Sequence, residues 1–140
     1  AKDAGRFAKR LELPLALIDK RRYGDDENAK PAHVIGDISG KDCLLVDDEI
    51  ATGGTLFNAT EFLLERGALS VSAAVVHPVL SGKAAEKLRT SRLKRLLVTN
   101  TLPIPIASLS PKIEVLSLAP QLATAIMHIH DGSSVSELFT

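Results

Sequence analysis

Cys43-Leu44-Leu45-Val46 is an uninterrupted apolar run that stops at two aspartates, Asp47 and Asp48. A short run that is apolar at every position suits a central strand of a parallel sheet, covered on both faces. Segments of helical period alternate with runs of this kind. From Gly54 or Thr55 to Arg66, the residues Leu56, Ala59, Thr60 and Leu63 fall on one face, and Gly67 stands where a terminating glycine belongs. Val71–Val76, Leu96–Val98 and Ile113–Leu116 read as further strands. Lys83–Leu88, with Ser81 as its cap, and Pro120–His130, followed by Gly132, read as further helices. Strand and helix in alternation predict an α/β domain of three layers with a mostly parallel central sheet.

The flanks are less regular. Asp3–Leu13 reads as the end of a helix, stopped by Pro14, and Leu15–Ile18 as a short buried strand. Lys20–Ala32 is polar and charged, contains Gly24, and is expected to be a mobile loop. His33–Ile35 suits a brief strand before the Gly36-Asp37 turn, while Thr101–Pro111, with three prolines, is expected to be irregular. In the final helix Leu122, Ala125, Ile126 and Ile129 make one apolar stripe, read mainly as core packing, with an oligomer contact as the alternative.

Composition narrows the function classes. The 17 Lys and Arg balance the 17 Asp and Glu, which argues against a nucleic-acid binder held by a basic surface. No apolar run approaches the length of a bilayer span. The single Cys43 lies in an apolar run and reads as a core thiol; with no disulfide partner in the chain, a cytoplasmic protein is the simplest expectation. The chain starts in a charged, helix-like segment without Met, as expected of a fragment or processed product. His33, His77, His128 and His130 show no metal-ligand spacing.

The stretch Val46-Asp47-Asp48-Glu49-Ile50-Ala51-Thr52-Gly53-Gly54-Thr55 carries the chemistry. It joins a buried strand to a helix, and in open α/β sheets ligands bind beyond the carboxyl ends of the strands. The turn Thr52-Gly53-Gly54-Thr55 allows close backbone approach, so that N–H groups converge on a phosphate at a helix N-terminus. The carboxylates just upstream are suited to accept hydrogen bonds from sugar hydroxyls. A phosphorylated sugar is the expected ligand, against the plainer reading of a strand-to-helix turn capped by Thr. No Lys follows the glycines, as a P-loop requires, and the dinucleotide-binding spacing is absent.

This stretch resembles the phosphoribosyl-pyrophosphate (PRPP) binding motif of type I phosphoribosyltransferases and their relatives. The rest of the chain resembles the ribose-phosphate pyrophosphokinases, the PRPP synthetases. The matching segments are Leu17–Arg22, Val34–Asp37, Leu45–Thr55, His77–Gly82, Val98–Thr101 and Ile126–Phe139. Together they span nearly the whole chain. The resemblance implies a phosphoribosyltransferase-like domain, with residues 1–140 as the C-terminal domain of a synthetase and the N-terminal domain absent. The helix after the family's Ser-Pro-Asp-x-Gly-Gly segment aligns with Arg6–Leu11, so its metal-associated Asp would lie upstream of Ala1, and Asp3-Ala4-Gly5 is a chance likeness.

The activity so implied is transfer of the diphosphoryl group of ATP to the 1-hydroxyl of ribose 5-phosphate, with Mg²⁺, giving PRPP and AMP. Carried over residue by residue, Lys20 and Arg22 are catalytic cations. Arg22, Asp47, Asp48, Ala51, Thr52, Gly53, Gly54 and Thr55 bind ribose 5-phosphate, and no residue of this chain is assigned to metal. At Ala51 the wider phosphoribosyltransferase pattern has Asp, so base transfer is weakened. The resemblance also implies a homo-oligomer built from dimers, up to a hexamer, with phosphate or ADP as candidate regulators. Two alternatives remain at this point: a type I phosphoribosyltransferase, for which no base-recognising hood is evident, and a non-catalytic synthetase-associated subunit.

Overall fold

A computed structural model describes residues 2–21, 30–104 and 110–139. The elements in chain order are α1 (Lys2–Arg10), β1 (Leu17–Arg21), β2 (Lys30–Ile35), β3 (Asp42–Ile50), α2 (Gly54–Glu65), β4 (Ser70–Pro78), α3 (Ala84–Thr90), β5 (Leu96–Thr99), β6 (Ile113–Leu116) and α4 (Ala119–His130). A 3-10 turn at Val135–Phe139 follows.

The apolar runs become a four-stranded sheet in the order β3-β4-β5-β6, parallel at every pairing. Helices flank it, giving the three-layer α/β arrangement that the alternation predicts. Strand β4 shows why the core sits in the middle of this sheet. Val71, Ala73 and Val75 alternate with less buried neighbours, and each is at most 3% exposed. Leu96 and Val98 of β5 repeat the pattern, and Leu88 of α3 with Leu56, Phe57 and Leu63 of α2 completes the same cluster. All four residues assigned to the inner face of α2 are buried. Among them the Thr60 hydroxyl donates to the Leu56 carbonyl at 2.9 Å, so its burial leaves no polar atom unsatisfied. Gly67, with φ of 94°, follows the end of α2 and donates to the Leu64 carbonyl.

Four expectations need correction. Lys20, Arg21 and Lys30–Ala32 are strand rather than loop: β1 and β2 pair antiparallel, with Leu17 opposite Ile35 and Lys20 opposite Pro31. Their charge and polarity lack the apolar pattern by which strands are read, so only the apolar parts, Leu15–Ile18 and His33–Ile35, were expected as strand. Residues 22–29, the rest of the expected loop, lie outside the described residues. The first strand starts two residues later than expected and is only half-buried, with Leu15 before it exposed. Strand β3 is not central, because β4 is its only partner among the described strands. The stripe on α4 is not core either: Leu122, Ile126 and Ile129 are each at least 60% exposed, and no residue of the helix is buried. Helical period reports that a face is apolar, not what covers it.

Smaller differences are local. Helix α1 ends at Arg10 rather than Leu13. Helix α3 starts at Ala84 with Lys83 as N-cap; Ser81 contributes its carbonyl, which accepts from the Ala84 N–H, and not its hydroxyl. Cys43 is half-buried rather than a full core thiol. Loss of water raises its pKa above the ordinary thiol value, and Asp42 adds to the effect. Among the described residues no helix is long and apolar enough to cross a membrane.

Candidate functional site

The carboxyl end of β3 carries Asp47, Asp48 and Glu49, all exposed, before the strand closes on the buried Ile50. Asp48 donates its backbone N–H to Asp47 Oδ1 at 3.0 Å, which orients the first carboxylate along the strand end. Ala51 is half-buried and Thr52 exposed, and then Gly53 turns the chain into α2.

Gly53 is held in the left-handed region, with φ of 74° and ψ of 0°. A Cβ there would stand 2.2 Å from Cε2 of Phe57, one turn into α2, whose ring is itself buried. Both backbone and space therefore require glycine at this position. Gly54 differs. It has an ordinary φ, and a Cβ there would find only Thr52 Oγ1, at 3.9 Å. The side Gly54 leaves open is thus not filled by the protein.

As N-cap of α2, Gly53 provides no side-chain cap; its carbonyl accepts from the Phe57 N–H at 2.9 Å. A Thr-capped turn is therefore not what forms here. The N–H groups of the first helical turn have no partner inside a helix, and the helix dipole favours an anion at that point. Thr52 and Thr55, both exposed, flank the turn with hydroxyls.

The turn is braced from the neighbouring strand. Leu80 and Ser81, after β4, donate their N–H groups to the carbonyls of Ile50 and Ala51 at 3.0 and 3.1 Å. Leu80 is 4% exposed and takes a positive φ of 47° to do so. Neither this brace nor the Phe57 platform has a local sequence signature. Register brings a second group to the same sheet end: Glu49 lies opposite His77. The His77 Nδ1 is 3.0 Å from Thr101 Oγ1, and both Thr99 and Thr101 donate their hydroxyls to the Val76 carbonyl.

The structure thus brings Asp47, Asp48, Ala51, Thr52, Gly53, Gly54 and Thr55 to one strand-to-helix junction. Lys20 lies in β1, where only its backbone is described, and Arg22 lies outside the described residues. Among the described residues no three His, Cys, Asp or Glu side chains are arranged to hold a metal ion.

Comparison with known proteins agrees with this geometry. The phosphoribosyl synthetase-associated domain family matches residues 23–140. A ribose-phosphate pyrophosphokinase of Caldanaerobacter subterraneus is 48% identical over 134 residues, covering 96% of this chain and 42% of that protein. One from Clostridium tetani is 46% identical over 136 residues, covering 97% of this chain and again 42% of the relative. The crystal structure of phosphoribosylpyrophosphate synthetase from Mycobacterium smegmatis superposes with a TM-score of 0.83 at 39% identity, over 94% of this chain and 42% of that one. The chain thus spans well under half the length of the relatives it matches. Within that span fold and sequence agree, and the chain belongs to the phosphoribosyl synthetase-associated domain family of the ribose-phosphate pyrophosphokinases, in the type I phosphoribosyltransferase-like superfamily.

Proposed function

We propose that this chain is the ribose-5-phosphate-binding, C-terminal domain of a ribose-phosphate diphosphokinase. The observation that carries the reading is the uncapped N-terminus of α2 at the carboxyl end of β3, with two aspartates one strand-end away. The 5-phosphate would sit against the N–H groups of Gly53, Gly54 and Thr55, with the Thr52 and Thr55 hydroxyls beside it. Asp47 and Asp48 would accept from the ribose hydroxyls. Ala51 contributes backbone only, which favours this reading over a base-transferring enzyme.

In the full-length enzyme the 1-hydroxyl oxygen of ribose 5-phosphate bonds to the β-phosphorus of ATP. The bond from that phosphorus to the α–β bridging oxygen breaks, AMP leaves with that oxygen, and the proton of the 1-hydroxyl is released to solvent, with PRPP as the other product. Lys20 and Arg22 are assigned to the negative charge that redistributes on the transferring group, and Arg22 also to the sugar phosphate. Mg²⁺ and ATP belong to the intact enzyme, where the ion would draw charge from the ATP phosphates. The described residues supply no metal site, and no step assigned here to this chain passes through the ion. The relatives' greater length supports an activity that needs sequence this chain does not span. A cytoplasmic enzyme assembled from dimers, with phosphate or ADP regulation, completes the proposal.

Titration calorimetry tests it. Ribose 5-phosphate should bind the chain, and Gly54→Val, which fills the open side of the turn, should weaken binding at least tenfold without unfolding it. Equal affinities in folded wild type and variant would refute the assignment. Mixed with Mg²⁺, ATP and ribose 5-phosphate, the chain alone should form no PRPP at a synthetase rate.

A further inference from the structure

Strand β4 runs out of donors before it reaches the end of β3. The last pair in register is Ile50 opposite Pro78, and proline has no N–H to give. The next residue, Val79, turns its N–H back to the His77 carbonyl at 3.1 Å. The carbonyls of Ile50 and Ala51, the last two before the Thr52–Thr55 turn, therefore take their donors from beyond the strand. Leu80 and Ser81 supply them, at 3.0 and 3.1 Å.

That arrangement strains one residue. Along an extended strand successive N–H groups point to opposite edges, and a left-handed residue turns two in a row toward one neighbour. Leu80 takes a φ of 47° to do so. Among the described residues Glu12 is the other non-glycine with a positive φ, and it is exposed. Glycine would suit the backbone at position 80 better, but it has no side chain to anchor. Leu80 is buried in the same cluster as Ile50, Phe57 and Ala84. Phe57, the wall that shapes Gly53, and Leu80, the source of the brace, are thus held by one patch of core.

We propose that Leu80 is a positioning residue for the phosphate turn. Its buried side chain holds a strained backbone in place. That backbone fixes the Ile50 and Ala51 carbonyls, and with them the point from which Gly53 turns the chain into α2. The turn is then set in its binding form before a ligand arrives, which removes the ordering that a loose turn would undergo on binding. Leu80 acts through the turn and is assigned to no substrate atom. Its effect on substrate rests on the ribose-5-phosphate reading above; its effect on the turn does not.

Two substitutions of similar volume test it. Leu80→Ile puts a β-branched residue where φ is 47°, a conformation in which such residues are outliers, whereas Leu80→Met has no branch at Cβ. In the free chain the amides of residues 80 and 81 and of Phe57, which donates to the Gly53 carbonyl, should exchange about fivefold faster or more in Leu80→Ile than in Leu80→Met. Ribose-5-phosphate affinity, by calorimetry, should fall by about the same factor in Leu80→Ile and stay within about twofold of wild type in Leu80→Met. Leu93→Ile, at a leucine as deeply buried but without a positive φ, is the control, and should lose stability without losing affinity. Should Leu80→Ile not fold, wild type decides: ribose 5-phosphate should slow exchange at Leu80 and Ser81 by about fivefold or more and change Lys94, at the other end of the sheet, much less. No slowing there would overturn the proposal. So would equal exchange and equal affinity in Leu80→Ile and Leu80→Met, or an affinity loss in Leu93→Ile as large as that in Leu80→Ile. A wild-type chain that does not bind ribose 5-phosphate, while Leu80→Ile still speeds Phe57 exchange, would refute the ligand reading and uphold the positioning role.

Discussion

Gly53 and Gly54 are adjacent in sequence but should fail in opposite ways. Gly53→Ala places a methyl 2.2 Å from the Phe57 ring, in a backbone conformation with φ of 74°. The left-handed conformation costs an L-residue roughly 1–2 kcal/mol. Forcing a buried ring aside costs about 1–3 kcal/mol more. Together these put the loss near 2–5 kcal/mol, a large share of the about 5–15 kcal/mol by which a domain is usually stable. At Gly54 the methyl meets nothing closer than 3.9 Å, and in a helical position Ala is favoured by about 0.5–1 kcal/mol. Urea denaturation should therefore show Gly53→Ala strongly destabilised and Gly54→Ala equal to wild type or better. Ribose-5-phosphate titration should show the Gly54→Ala affinity reduced despite that stability. Phe57→Leu should relieve part of the Gly53→Ala loss, giving a coupling above about 0.5 kcal/mol. A Gly53→Ala variant within about 0.5 kcal/mol of wild type would refute the view that the ring shapes the turn.

Three further outcomes are expected. In the full-length enzyme Lys20→Ala and Arg22→Ala should lower turnover strongly with much less change in ribose-5-phosphate affinity, whereas Arg21→Ala should do little; near-wild-type turnover for the first two, from steady-state rates, would end the catalytic assignment. Leu88→Ala, at a fully buried position, should cost about 2–5 kcal/mol in denaturant unfolding, whereas Ile126→Ser on the exposed α4 should change the isolated chain by less than about 0.5 kcal/mol. The hydrogen bond from Arg92 holds the Glu61 carboxyl below its ordinary pKa. Its stabilisation is present above the unfolded value and is lost as pH falls through the folded one. Glu61→Gln should thus cost about 0.2–1 kcal/mol near neutrality, with the difference from wild type shrinking in acid.

Much of this was legible in residue order. The helical face Leu56, Ala59, Thr60 and Leu63 was correct at every position, because a core helix reports its burial through its own period. Gly53 was legible because a φ of 74° against a buried ring leaves few residue choices there. What the sequence hid was non-local. The brace from Leu80 and Ser81 uses backbone N–H groups, which every residue but proline has. Strand β1 continues through Lys20 and Arg21, whose charge reads as loop. The α4 stripe and β3 were misplaced for one shared reason: an apolar pattern reports a surface suited to burial, not its neighbours, and among the described residues the stripe is exposed and β3 pairs with β4 alone.

The claim that the β3–α2 junction binds ribose 5-phosphate is tested most directly by amide NMR. Titration with ribose 5-phosphate should shift the Gly53, Gly54 and Thr55 resonances saturably, with smaller shifts at Asp47 and Asp48 and none along β6 or α4. Inorganic phosphate should move the same glycine amides more weakly. Resonances of Gly53–Thr55 that stay fixed while others saturate, or that do not move at all, would contradict the account.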